Sequence, residues 1–138
     1  MKKILFDTNV ILDVLLDREP HLTASAALWA LVEDGNAGGI LAAHTVTTIH
    51  YLIRKQLGEA KARRTISDML TVFGVAAIDG HILHQALQLH FSDFEDAVTA
   101  SAAHAAGCDW IATRDTRDFR GSEVRALTPE LITPLLTH

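Results

Sequence analysis

Cys108 is the only cysteine in the chain. That excludes an internal disulfide and a thiolate zinc cluster, and leaves a small core residue as its expected role. No apolar run reaches the length of a membrane span before a charge or a glycine breaks it. Met1-Lys2-Lys3 leads straight into a strand-like run rather than a signal peptide, so the expected location is the cytoplasm, with no membrane partner. Also missing are a glycine-rich phosphate loop, a G-x-S-x-G turn and a cysteine with a matched base. Of eight histidines, His44 and His50 are six apart, and His81, His84 and His90 fit no H-E-x-x-H spacing. Most therefore read as surface residues. Excess positive charge is lacking too: a net charge of −5 argues against coating nucleic acid by bulk electrostatics.

What is present is ordinary globular chemistry, 49% hydrophobic and 21% charged over 138 residues, the size of one domain spanning 1–138. Ile4-Leu5-Phe6 reads as a buried strand, followed by the turn Asp7-Thr8-Asn9 and a short apolar helix from Val10 that stops before Pro20. Helical spacing continues from His21 or Thr23 to Asp34-Gly35, from Thr45 to Gln56, and from Ala60 to Phe73. Further helices run from Ile82 to His90 and, behind a cap at Ser92 or Asp93, through an alanine-rich stretch to Gly107. Strands are expected at Ile40–Ala43, Val75–Ile78, Asp109–Thr113 and Val124–Leu127, with a last helix opened by Thr128-Pro129-Glu130. This alternation predicts an α/β fold, three layers α/β/α around a central parallel sheet.

Acidic residues stand at informative places in that pattern. Asp7 follows the first strand, Asp96 lies in the first turns of the alanine-rich helix, and Asp115 and Asp118 follow the strand Trp110-Ile111-Ala112-Thr113. Residues after separate strands of an open parallel sheet meet in the crevice beyond the strands' carboxyl ends. Carboxylates gathered there repel one another unless a cation or a shared proton relieves them, so a hard divalent ion is the expected occupant. Helix capping alone is the simpler explanation for an isolated Asp7, and it is the preferred one for Asp93. Asp115 and Asp118 share a face if their loop coils as a helical turn, with the arginines between them turned elsewhere. Among the cations, Lys61, Arg63 and Arg64 read as a solvated helix face. Arg114, Arg117 and Arg120 surround the late acids, where they are expected to bind phosphates. Asn9 and Thr113 are expected to orient the carboxylates by hydrogen bonds.

Three segments in register, Ile4–Asp13, Asp93–Ala100 and Ile111–Phe119, together with the closing Leu127-Thr128-Pro129-Glu130, resemble the PIN-domain family over nearly the whole chain. Many small members are VapC-like toxins of type II toxin–antitoxin pairs. The resemblance implies a ribonuclease using Mg²⁺ or Mn²⁺, with RNA as substrate, a homodimer and a cognate antitoxin. It carries catalytic and metal-binding roles onto Asp7, Asp96 and Asp118, with Asp115 at a further metal position. Where the family usually has a glutamate in the middle helix, this chain has His50, which makes the alternative a catalytically weakened PIN-fold module that binds RNA or regulates.

Overall fold

In the computed structural model, which describes residues 1–137, five short strands form one sheet: β1 (Lys3–Phe6), β2 (Gly38–Ala42), β3 (Gly74–Ala76), β4 (Trp110–Ala112) and β5 (Arg125–Leu127). Their order is β3-β2-β1-β4-β5 and every pairing is parallel. β1 sits in the middle, with Leu5 opposite Ile40 on one side and Ile111 on the other. The chain builds outward from β1 through β2 to β3, then crosses to the other side for β4 and β5. The switch point of the topology therefore falls between β1 and β4, where a parallel sheet opens its ligand crevice.

Seven helices cover the sheet: α1 (Thr8–Leu15), α2 (Leu22–Glu33), α3 (Ala43–Leu57), α4 (Glu59–Val72), α5 (Gly80–Leu87), α6 (Phe94–Ala105) and α7 (Pro129–Leu136). A 3₁₀ turn, Thr116–Phe119, lies between β4 and β5. Alternation along the strands sorts the core into two layers. Ile4 and Phe6 of β1 face α1, α2, α3, α4 and α7, packing on Ile11, Leu28, Ile49, Met69 and Ile132. Leu5, between them, faces the opposite layer with Ile111, Ala97, Ala100 and Ile82. The alanine-rich sequence of α6 serves this second layer: seven consecutive residues, Ala97–Ala103, are buried, because small side chains let a helix lie close to the sheet. Cys108 is buried in the same layer.

The expected elements all form, with ends displaced by a few residues. α1 stops at Leu15, well before Pro20, and α3 begins at Ala43, immediately after β2. The early start of α3 sets His44 and Thr45 at the carboxyl edge of the sheet. No helix among the described residues is long and apolar enough to cross a membrane.

Gly39 marks the tightest backbone approach. A Cβ there would stand 2.6 Å from the Phe73 ring and 2.8 Å from Val32 Cγ1. Phe73 has little room to yield, since it meets Phe6 and Trp29 edge-to-face at 5.0 Å each. Gly39→Ala is therefore expected to destabilise the fold by about 1–3 kcal/mol through overpacking. Urea denaturation checks this as a lower midpoint with an unchanged slope.

Candidate functional site

Asp7 is fixed by the strand it follows. Its backbone N–H donates to Ala112 O (2.9 Å), continuing the β1–β4 ladder by one residue, and its extended backbone caps α1. Oδ1 accepts from Thr8 N (2.9 Å), and Oδ2 accepts from Thr113 Oγ1 (2.8 Å). Thr113 is fully buried, so its hydroxyl has little choice of partner; it also accepts from Asp115 N (3.1 Å). Asn9 closes the ring. Its amide donates to Asp115 Oδ2 (3.1 Å) and lies 3.4 Å from Asp7 Oδ2, while its carbonyl oxygen accepts from Arg114 N (3.4 Å). Two loops from separate strands are thereby joined through one asparagine and one threonine.

Asp118 follows in the 3₁₀ turn, where its N–H donates to Asp115 O (3.0 Å). The turn expected for Asp115 and Asp118 is thus present. Asp96 comes from the other side of the crevice, in the first turn of α6. Asp93 caps that helix, accepting from Asp96 N at 3.2 Å, which is the preferred sequence reading of Asp93.

The electrostatics bind these groups into one cluster. Burial raises the Asp7 carboxyl above its ordinary value; the hydrogen bonds from Thr113 and Thr8 oppose the rise, and the charges of Asp115 and Asp118 add to it. Asp96 is pushed up to about 7, first by burial and then by the charges of Asp93, Asp7, Asp118 and Glu95. Asp7 and Asp118 thus lie close enough to Asp96 for their charges to act on it, and Asp118 close enough to act on Asp7. Among the described residues, no three acidic or histidine side chains are arranged to grip a single ion as they stand. Side-chain rotation on a backbone already in place is what ligation would require. The donor set, carboxylate oxygens carrying uncompensated repulsion, fits a hard dication.

Two of the expected site residues lie otherwise. His50 is 3.6 Å from Glu59 at the start of α4, because six residues along a helix turn it roughly 240° away from His44. Arg114 is not free for phosphate through all its nitrogens, since Nε lies 2.9 Å from Asp13 Oδ2. Arg117 and Arg120 are exposed. The three groups that sequence reading passed over are Asp13, His44 and Thr99. His44 Nε2 lies 3.2 Å from Thr99 Oγ1, whose own hydroxyl donates to Glu95 O (3.0 Å). Next to His44, Thr45 is buried, and its hydroxyl accepts from Thr8 Oγ1 (3.4 Å). The head of α3 thus touches both the Asp7 turn and the first turns of α6. An acid in the apolar run Val10–Leu16 was the signal for Asp13; nothing in the local sequence singled out His44.

A family model described as PIN domain matches residues 3–117. No curated protein matches the chain. Among solved structures, FitAcB from Neisseria gonorrhoeae is similar at 24% identity and a TM-score of 0.71, covering 92% of this chain and 98% of its own. VapC20 from Mycobacterium tuberculosis, a sarcin-ricin loop cleaving toxin, is similar at 16% identity and 0.69, covering 85% and 93%. A toxin–antitoxin complex from Klebsiella pneumoniae contains a chain similar at 22% and 0.69, covering 91% and 97%.

The raised carboxyl of Asp96 has a stability consequence whose sign is fixed. A group whose folded pKa exceeds its unfolded value binds more protons when folded, so the fold loses stability as pH rises between the two values. For Asp96 that window runs from 3.8 to about 7. With chelator present, Asp96→Asn is expected to melt higher than the parent by a margin that opens above the lower value and levels off above the upper. Thermal unfolding of both proteins across pH 4–9 checks it.

Proposed function

The chain belongs to the PIN-domain family, and from that premise we propose that it is a ribonuclease dependent on Mg²⁺ or Mn²⁺, the toxin of a toxin–antitoxin pair. The observation that carries the reading is the group of acids at the β1–β4 switch point, where the charge of Asp118 raises the carboxyls of both Asp7 and Asp96 and the charge of Asp7 adds to the rise at Asp96. A dication bound there supplies Lewis acidity and a lowered pKa to water, and stabilises charge on the leaving oxygen.

The chain's own residues do the rest. Asp7, Asp96 and Asp118 would hold the ion, with Asp115 as a further ligand. Thr113 orients Asp7 by donating to Oδ2 from a buried hydroxyl. Asn9 holds Asp115 against the same turn. An ion among these acids would also cancel the negative charge that otherwise repels an RNA phosphate, which reconciles a chain of net charge −5 with a nucleic-acid substrate. The similarity to VapC20 and to the Klebsiella complex supports an RNA substrate and a protein antitoxin. A homodimer and a cytoplasmic location complete the proposal. An antitoxin that inserts a cationic side chain among the acids would inhibit by taking the ion's place.

The test is cleavage of a labelled RNA oligonucleotide, beside the same sequence as DNA, with Mg²⁺ or Mn²⁺. The parent is expected to cut RNA; Asp7→Asn and Asp96→Asn are expected to be folded and inactive. Thr113→Val, which leaves all acids in place, is expected to lose roughly 10–100-fold. Undiminished metal-dependent cleavage by Asp96→Asn would contradict the assignment. RNA bound by the parent but left intact would instead favour a PIN-fold binding or regulatory module without turnover.

A further inference from the structure

We infer that Asp13 and Arg114 form an anchored guanidinium fork that grips a backbone phosphate of the RNA beside the acidic crevice, a role that rests on the ribonuclease reading above. Asp13 is 0% exposed, on a helix otherwise buried through Val10, Ile11 and Leu12. Its Oδ2 meets Arg114 Nε at 2.9 Å and accepts from Ser25 Oγ at 3.4 Å, while Oδ1 is buried with no partner among the described residues. Such a pair is a poor source of stability, because desolvation offsets the Coulomb attraction and an apolar side chain would fill the same place at less cost. The carboxylate is better explained by what it does to the arginine.

Arg114 leaves the loop after β4, and its backbone N–H donates to Asn9 Oδ1. Asn9, which also holds Asp115, lies one helical turn before Asp13 on α1, so Arg114 meets the same face of that helix through its backbone at Asn9 and through its guanidinium at Asp13. Nε is the enclosed nitrogen of the guanidinium, and its 2.9 Å approach to Asp13 is an ion pair without an aligned hydrogen bond. The two terminal nitrogens have no acceptor among the described residues, and the side chain is 28% exposed. The ion pair at Nε holds the guanidinium beside Asp13 while leaving its four terminal N–H bonds for an external oxygen anion. Two oxygens of a phosphodiester match that fork in charge and spacing. Arg117 and Arg120, on the same loop, have no comparable anchor. The acid paired with Arg114 sits in α1, about a hundred residues earlier in the chain, where no local pattern links the two.

The fork is a binding group and Asp13 a positioning residue, and the two make separable predictions. Binding of a single-stranded RNA oligonucleotide is measured by fluorescence anisotropy with Mn²⁺, across a series of salt concentrations, in an Asp96→Asn background where turnover is expected to be silent. Adding Arg114→Gln is expected to weaken binding roughly tenfold or more, as one charge-assisted contact is lost. It should also flatten the dependence of log Kd on log salt by about 0.7, one phosphate contact on a single strand. Arg114→Lys and Asp13→Asn keep the cation, so each is expected to weaken binding with the salt slope nearly unchanged. Thermal unfolding identifies any variant that fails to fold, and Arg114→Lys, the mildest change, then carries the test. Folded Arg114 variants that bind RNA as the background protein does, with the same salt slope, would overturn the fork. Failure of the background protein itself to bind RNA, or cleavage persisting in it, would overturn the site reading beneath it.

Discussion

Like charges are held together in this molecule against their own repulsion, and the arrangement of the fold follows from where they are held. A parallel sheet that grows in one direction from β1 and then in the other leaves a crevice between β1 and β4. Asp7 and Asp115 are delivered to it by the ends of those strands, and Asp118 by the 3₁₀ turn that follows. Asp96 arrives on α6, which can lie close enough because its buried face is almost entirely alanine, serine and threonine. Burying acids near one another costs stability, as the raised Asp96 and Asp7 carboxyls express. Thr113 and Asn9 lower that cost locally without removing it. The cost is retained at the topological switch point of the sheet, where perturbed carboxyls mark a functional site more often than a structural one.

The architecture was legible because each cue was local. Short apolar strands, proline and glycine stops, and the cap at Asp93 all act within one element, and that cap forms, accepting from Asp96 N. The placing of the acids was legible for a related reason: Asp7 follows β1, Asp96 lies in the first turn of α6 and Asp118 lies in the 3₁₀ turn after β4, and positions after strands or at a helix start are sequence features. Ends were less legible. α3 starts at Ala43 rather than Thr45, directly after β2, and its N-cap Ala42 carries no side-chain cap that would mark the change in sequence.

What sequence did not disclose is pairing over distance. Arg114 reads as a free cation in Thr113-Arg114-Asp115, yet its Nε is committed to Asp13. Asp13 in turn reads as one charge at the end of an apolar run, and only the fold shows it buried between α1 and α2. His50 was singled out for its register with a family motif, but helical rotation delivers it to Glu59 instead, while His44 is set against Thr99. In each case the partner was not legible, because it is chosen by the packing of one element against another rather than by the local sequence.

The central claim, that these acids act together to hold a dication, is tested most directly by calorimetric titration of Mn²⁺ into the protein near pH 7 in two buffers of different ionisation enthalpy. Ligand carboxylates must give up their protons to bind, and Asp96 is partly protonated there, so binding is expected with net proton release in the parent and to be lost in Asp7→Asn. Heats showing no uptake of Mn²⁺, or uptake of equal affinity after the Asp7 carboxylate is removed, would contradict it.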